Sequence, residues 1–170
     1  MRYGTSGSGS AAHVAAALLE ISAGIDLTHV PYKGIAMATT ELLGGQIDLT
    51  VGNILNSIAH IKSGKLKAIG ITGAKRTPAL PEVPTVAEAL PGYEVILWWG
   101  VFAPAGVPQP ILAKLEKEMV TILGQPQLRD RWASDGTVIA PTSSEKLGAL
   151  LKAEHQRWAE VVKKAGIKPE

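Results

Sequence analysis

The sequence predicts an α/β fold in which a mostly parallel sheet with its helices is followed by an incomplete part that is rich in helices. Two observations lead to this prediction. In the first half of the chain, short apolar stretches alternate with helix-like stretches, and glycine or proline separates them. Alternation of this kind implies right-handed crossovers between parallel strands. In the second half amphipathic helical patterns dominate, so that half adds little to a sheet.

The first half is expected to alternate strand and helix in a regular order. Strands are predicted at 2–5, 25–30, 47–51 and 66–72, and helices at 10–22, from Gly34 to Gly44 and from Asn53 to Gly64. The continuous apolar run at 66–72 is typical of a strand that is covered on both faces. Prolines at 78, 81 and 84 exclude a central strand or a helix interior. Residues 73–91 are therefore predicted to form an ordered surface excursion, in which Thr85 and Glu88 make a capping box for a brief helix.

The second half begins with a strand-like run at 95–103 that contains Trp98 and Trp99. Because neighbouring residues of a strand face opposite sides, at most one of these rings should look into a cleft. A helix is expected after Pro108, a short one around 128–132, a strand at 137–140, and a last helix opened by a capping box of Thr142 and Glu145.

The second half lacks an obvious partner for its apolar helix faces. The helix after Pro108 carries an apolar stripe formed by Leu112, Leu115, Met119 and Ile122. A single new strand cannot cover that stripe, so part of the sheet is predicted to be missing from this chain. An uncovered apolar patch favours self-association, and a homodimer through the incomplete part is therefore a further expectation.

Composition sets limits on the function. The chain has 170 residues, of which 46% are hydrophobic, so it should form a globular core. Its formal net charge is +2 and only 5% of its residues are aromatic, which gives no reason to expect nucleic acid as a partner. The absence of cysteine excludes disulfides, thiol catalysis and thiolate metal sites. No stretch has the roughly 20 apolar residues of a membrane helix, and the N-terminus does not read as a signal peptide.

A glycine and serine loop after the first strand is the strongest candidate site. It consists of Ser6, Gly7, Ser8, Gly9 and Ser10 and leads directly into an alanine-rich helix. Glycine lets the backbone approach a ligand, and the unpaired amides of a helix's first turn favour a carboxylate or phosphate. The serine hydroxyls can cap the helix or donate to such a ligand. The alternative is a plain helix N-cap in a flexible loop.

Two further loops are expected at the same edge of the sheet, because each also follows a strand and starts a helix. Tyr32, Lys33 and Gly34 form one of them, in which Lys33 could pair with a carboxylate and Tyr32 could line a pocket. Asn53 lies in the other, where capping its helix is the stronger reading and ligand contact the weaker. His13 lies one turn into the first helix, behind the glycine and serine loop, and is the histidine to test as a further ligand-binding residue.

Catalytic and nucleotide motifs are weak. The run from Gly7 to Ala12 matches a loose dinucleotide fingerprint, but Asp26 lies near the start of the next strand instead of at its end. A triphosphate loop, a nucleophile elbow, a zinc motif and an acid and base pair are all lacking. Neither an enzyme activity nor a cofactor is therefore predicted, and a dinucleotide-binding enzyme domain is kept as the alternative.

Six stretches taken together resemble a known family. They are the opening Tyr-Gly-Thr-Ser-Gly-Ser-Gly-Ser, followed by residues 29–34, 42–48, 60–66, 81–85 and 102–106. They resemble the extracytoplasmic solute receptors of tripartite tricarboxylate transporters, the Bug or TctC family. The resemblance runs from Arg2 to Glu170 and covers the C-terminal part of the family's chain. Its motifs are specific because they occur together and in order.

The resemblance implies a periplasmic, two-lobed flytrap that binds a small carboxylate and passes it to membrane permease subunits. It implies that 1–97 form the ligand-binding lobe, the family's second domain. It also implies that 98–170 form the crossing strand and the end of the first domain, whose beginning precedes Met1. Any leader of an exported parent would have been removed. In the family an aspartate often precedes the matching asparagine, whereas here it is Gly52, so the ligand's identity stays open. A truncated, non-binding interaction module is the third reading.

Overall fold

The computed structural model describes residues 1–134 and 136–168, and it confirms the predicted alternation of strands and helices in the first half. Positions 135, 169 and 170 belong to the predicted second part and lie outside the described residues. In chain order the elements are β1 Arg2–Thr5, α1 Ala11–Ala23, β2 Thr28–Pro31, α2 Ile35–Leu43, β3 Leu49–Thr50, α3 Ile54–Lys62, a short 3-10 helix Val86–Glu88, α4 Gln109–Leu123, α5 Pro126–Ser134 and α6 Ser144–Lys164.

The three strands form one parallel sheet, as the sequence predicts. Their order in the sheet is β2-β1-β3. Tyr3 of the central strand pairs with His29 on one side and with Leu49 on the other. β1 is buried from its second residue onward. The crossover connection after β1 contains α1 and the one after β2 contains α2, and these helices cover the sheet. This topology brings the C-terminal ends of all three strands to one edge.

Gly4 permits the close packing at the centre of the sheet. A Cβ atom at this position would lie 3.1 Å from Ala38 Cβ and 3.2 Å from Tyr32 Cε2, and would overlap Ile47 Cδ1. Ala38 and Ile47 are themselves buried, so neither has room to move away. The glycine is therefore required by space, since no side chain fits between the strand and α2.

We expect Gly4→Ala to lower the free energy of unfolding by about 1–3 kcal/mol, the usual cost of overpacking a core. Urea denaturation followed by circular dichroism measures this change. Gly73→Ala is the matched control, because no atom lies within 4 Å of its would-be Cβ and its φ is not positive. Equal stability of the two variants would show that the sheet can relax around Gly4.

The proline-containing excursion is ordered, as predicted, and packs on α3. Leu80 and Val83 are buried together with Ile58 of α3. Arg76 donates twice to the Glu88 carboxylate, at 2.9 Å and 2.7 Å, and lowers the pKa of Glu88 to about 2. The predicted capping box is present, with the Thr85 amide donating to Glu88 Oε1 at 2.9 Å.

The predicted strands at 66–72, 95–103 and 137–140 are wrong. Among the described residues the first retains only an isolated bridge between Ile71 and Thr85, and the second only a bond from the Val95 amide to Thr72 O. A strand forms only where a neighbouring strand pairs with its backbone amides and carbonyls. In the part of the chain described, no neighbouring strand lies beside these three segments. Their apolar side chains are accordingly open, with Ile69 71% and Val138 82% exposed.

The helices of the second half follow the sequence closely. Pro108 is the N-cap of α4, and α5 forms where Leu128 and Trp132 predict it. The start of the last helix differs by one residue: Ser143, not Thr142, is its N-cap, and its hydroxyl accepts from the Lys146 amide at 3.3 Å. Both residues can cap a helix, so sequence alone does not choose between them.

The face of α4 is largely uncovered. None of its residues is buried, and Leu115 and Ile122 are about half exposed. Trp98 is half-buried and Trp99 is 65% exposed, so the two neighbouring rings do lie in different environments. No described helix is long and apolar enough to cross a membrane.

Candidate functional site

The three loops predicted as a site lie side by side at the C-terminal edge of the sheet. β1, β2 and β3 end at Thr5, Pro31 and Thr50, and the loops follow these residues directly. The Tyr32 amide donates to Thr5 O at 3.1 Å, and the position of a Cβ on Gly7 lies 3.7 Å from Tyr32 O. The first two loops are therefore in contact, and β3 places the third beside β1.

The glycine and serine loop has a defined conformation that depends on its glycines. Gly7 has φ +124° and Gly9 has φ +72°, values that L-amino acids with a side chain rarely adopt. The Gly7 amide donates to Thr5 Oγ1 at 3.3 Å, and the Thr5 hydroxyl donates to Gly7 O at 3.2 Å. The Ser10 amide also donates to Gly7 O, at 3.2 Å, which closes the turn. The loop is thus held by its own backbone, which disfavours the reading as a flexible loop.

The start of α1 presents unpaired amides next to this loop. Ser10 is the N-cap, and its hydroxyl accepts from the His13 amide at 3.3 Å. The amides of Ala11 and Ala12 have no acceptor among the described residues, as is usual in a first helical turn. Since the helix dipole adds partial positive charge there, this end of α1 suits a carboxylate.

The second loop adds a cation and an aromatic ring. Tyr32 is half-buried against Gly4, and Lys33 is exposed and forms no ion pair within the described part of the chain. Gly34 is the N-cap of α2, where no side chain caps the helix. Lys33 can therefore swing towards an acid at the sheet edge without first losing a partner.

Asn53 is confirmed as the N-cap of α3, the stronger of its two readings. Its Oδ1 accepts from the Leu55 amide at 2.9 Å. That bond uses the oxygen only, and the Nδ2 group has no acceptor among the described residues. An amide nitrogen is a donor that suits a carboxylate, so capping and ligand contact are compatible at this residue.

Three stacked rings lie beneath the loop, a feature that the sequence analysis did not find. Tyr3 stacks on His29 with centroids 5.1 Å apart, and His29 stacks on His13 at 3.8 Å. His29 Nε2 lies 2.6 Å from Thr5 Oγ1. When the Thr5 hydroxyl donates to Gly7 O, His29 Nε2 carries the proton that Thr5 accepts. The pairing of Tyr3 with His29 across the sheet depends on register, so spacing along the chain does not reveal it.

Burial perturbs the titration of the outer members of this stack. Burial lowers the pKa of His13 from its usual value, although the nearby Glu20 carboxylate opposes the change. Burial also raises the pKa of Tyr3 to about 12, with a smaller contribution from Glu20, whose Oε2 lies 3.4 Å from the Tyr3 hydroxyl. Both rings are therefore neutral at pH 7, and the stack carries no charge from either.

The described residues contain no group of three or more histidine, aspartate or glutamate side chains that could hold a metal ion. Asp26 precedes β2 and is exposed, whereas a ribose-binding acid would follow the end of that strand. The site is therefore built from backbone amides, hydroxyls, one amide side chain and one lysine, which are groups that bind anions.

Comparison with known proteins places this geometry in a family. The model of the tripartite tricarboxylate transporter family receptor matches residues 1–167. The R. palustris protein Rpa4515, solved with adipate, is 34% identical with a TM-score of 0.92, over 100% of this chain and 57% of that one. The periplasmic binding protein BugD is 36% identical with a TM-score of 0.88, over 100% of this chain and 58% of that one. MatC from Rhodopseudomonas palustris, solved with malate, is 36% identical with a TM-score of 0.83, over 95% of this chain and 56% of that one.

Relatives known from sequence agree. A protein from Pseudomonas sp. strain P51 is 35% identical over 164 residues, which make up 95% of this chain and 49% of the relative. The chain thus spans about half the length of that curated relative. It has the α/β fold of these periplasmic binding proteins, with one of the two lobes incomplete. The chain belongs to the receptor family of the tripartite tricarboxylate transporters.

Proposed function

We propose that this chain is the ligand-binding part of a receptor that captures a small carboxylate. The observation that carries the proposal is the meeting of three strand-to-helix loops at one sheet edge, with the amides of Ala11 and Ala12 unpaired beside them. Two structural neighbours with the same fold were solved with adipate and malate, which are both dicarboxylates. The ligand class proposed here is therefore a di- or tricarboxylate or an acidic amino acid.

The residues divide the work of binding as follows. A carboxylate lies at the start of α1, where Ser6, Gly7, Ser8, Gly9 and Ser10 surround it and the first-turn amides donate to it. Lys33 supplies the positive charge, Asn53 donates through Nδ2, and Tyr32 forms the wall. Because residue 52 is a glycine, the described part of this edge lacks a carboxylate at that position to pair with a ligand's amino group, which favours acids without one.

The wider role follows from the family. We propose that residues 1–97 form the ligand-binding lobe, that 98–170 belong to the other lobe, and that the receptor works in the periplasm and delivers its ligand to membrane permease subunits. The periplasmic location is supported by the neighbour BugD, and no chemical step on the ligand is proposed.

Titration of this chain with adipate and with malate, followed by ¹⁵N-¹H correlation spectra, tests the proposal. Adipate or malate should shift the amides of the Ser6–Ser10 loop, Ala11 and Ala12 in a saturable way that tolerates salt. NAD is the control for the dinucleotide reading, and it should shift none of them. A chain that folds but responds to no carboxylate would support the reading as a non-binding module instead.

We also propose that a second copy covers the apolar face of α4. Ile111 and Leu115 are about half exposed on successive turns of α4. Exposure of this apolar surface to water is unfavourable, so contact with a second copy would stabilise it. Light scattering should give a mass that rises towards a dimer with concentration, and Leu115→Lys should abolish the rise. A monomer at every concentration would contradict the proposal.

A further inference from the structure

His13 is connected to the glycine and serine loop by one hydrogen bond. The Gly9 amide donates to His13 Nδ1 at 3.1 Å, so a helix residue reaches back four positions to the loop. Gly9 has φ +72°, and no neighbouring atom lies within 4 Å of its would-be Cβ. Side-chain packing therefore does not fix Gly9. The turn that the Ser10 amide closes on Gly7 O shapes the backbone around it, and the bond to His13 is the side-chain contact of its amide.

This bond exists only while His13 Nδ1 is unprotonated. A proton on Nδ1 would turn an acceptor into a donor that faces the Gly9 N–H group. The His29 ring, stacked at 3.8 Å, already covers one side of the His13 ring and limits its rotation. The protonated ring therefore cannot keep its place and its bond at the same time.

We propose that His13 is a positioning residue, which in its neutral form fixes the Gly9 amide and so keeps the anion loop in its binding shape, and which releases the loop when it gains a proton. The part of this inference that concerns affinity rests on the proposed carboxylate function. His13 then acts through Gly9 and need not touch the ligand.

The groups around His13 agree with a neutral ring at pH 7. Glu20 on the same helix is the nearby carboxylate, but the Leu27 amide donates to it at 2.7 Å and the Tyr3 hydroxyl at 3.4 Å. Tyr3 faces the ring from β1 and His29 from β2. Asp26 shares a cavity of about 320 Å³ with His13 and Glu20, and the described residues after α6 contribute Ala165 and Ile167 to that cavity.

The sign of the pH effect follows from the direction of the shift. Because burial lowers the pKa of His13 below 6.5, the folded chain prefers the neutral ring. The stability that this preference provides is complete above pH 6.5 and is lost as the pH falls towards the lower, folded value. Loop order and ligand affinity should both decline over the same range.

Two variants separate the acceptor from the ring. His13→Phe keeps an aromatic ring to stack on His29 but has no acceptor, whereas His13→Asn keeps an acceptor near the position of Nδ1 but loses the ring. His155→Asn is the control, because His155 is exposed on α6. Two properties of the Gly9 amide are measured in ¹⁵N-¹H spectra. They are its protection from hydrogen exchange and its chemical shift as the pH is lowered from about 8 to about 5.

In the unmutated chain the Gly9 amide shift should titrate together with the ring signal of His13. His13→Phe should lower the exchange protection of Gly9 by about tenfold, while His13→Asn keeps the protection and removes the pH dependence. If His13→Phe fails to fold, the titration of the unmutated chain still decides. A Gly9 shift that does not follow His13, or full Gly9 protection in a folded His13→Phe chain, would overturn the inference.

The affinity for adipate provides the second measurement. It should fall several-fold, by less than about tenfold, between about pH 7.5 and about pH 5.5 in the unmutated chain and in His155→Asn, be low at both values in His13→Phe, and be flat in His13→Asn. If no variant binds adipate or malate at any pH, the proposed function fails and the Gly9 measurement alone decides the role of His13. Binding that neither pH nor His13→Phe changes would refute that role.

Discussion

Gly7→Ala is expected to weaken carboxylate binding by about tenfold or more, because the loop loses its binding shape. Gly7 has φ +124°, a conformation that any residue with a Cβ atom adopts only at a cost of about 1–3 kcal/mol. Space is not the reason, since the nearest atom to the added carbon, Tyr32 O, would lie at an ordinary contact distance of 3.7 Å. Calorimetric or NMR titration with adipate measures the loss.

Two other glycines calibrate that result. Gly9, with φ +72°, lies in the left-handed region where a Cβ costs less, so Gly9→Ala should weaken binding by less than Gly7→Ala. Gly73→Ala should leave affinity unchanged, because Gly73 has neither a positive φ nor a close neighbour. The same affinity in all three variants would mean that the conformation of the Ser6–Ser10 loop does not matter for the ligand.

Tyr3→Ala is expected to lower the free energy of unfolding by about 3–5 kcal/mol, the range for removing a large buried ring. Tyr3 is 1% exposed, lies on the central strand and stacks on His29 at 5.1 Å. Its removal leaves a cavity under the glycine and serine loop that the rigid sheet can only partly close. Urea denaturation measures the change in the free energy of unfolding. Loss of the cooperative unfolding transition would indicate the largest destabilisation.

Tyr3→Phe is the matched control for that variant. It keeps the ring and the stack and loses only the hydroxyl contact to Glu20 at 3.4 Å, so the loss should stay under about 1.5 kcal/mol. A large loss in Tyr3→Phe would show that the hydroxyl, and not the ring, stabilises the sheet. Small losses in both variants would show that the core tolerates a cavity at this position.

Much of the candidate binding edge could be predicted from sequence because its signals are local. Glycine next to serine marks the loop after β1, and the N-cap residues Ser10 and Asn53 mark the helices that follow. The roles of individual residues were harder to foresee. Capping is the stronger reading of Asn53 and ligand contact the weaker, and only its bond to the Leu55 amide shows that Oδ1 is occupied while Nδ2 has no acceptor in the described part of the chain.

The strand predictions failed where the signal was not local. The run at 66–72 was predicted to be a buried strand, yet only Ile71 makes a bridge, because a strand also needs a neighbour in register. The helices α4 and α6 were predicted more closely, since a helix makes its hydrogen bonds within itself. This difference explains why the second half was read correctly as helical and wrongly as containing strands.

The succession of strand, glycine-containing loop and helix can be predicted from the residues alone, because turn residues, caps and apolar periodicity act over a few positions. The tertiary structure alone decided that Tyr3, His29 and His13 form one stack beneath the loop and that His13 accepts from Gly9. These contacts join residues from β1, β2 and α1, and they depend on the sheet's register and on the way α1 lies across it. Neither of these is written in the spacing of residues along the chain.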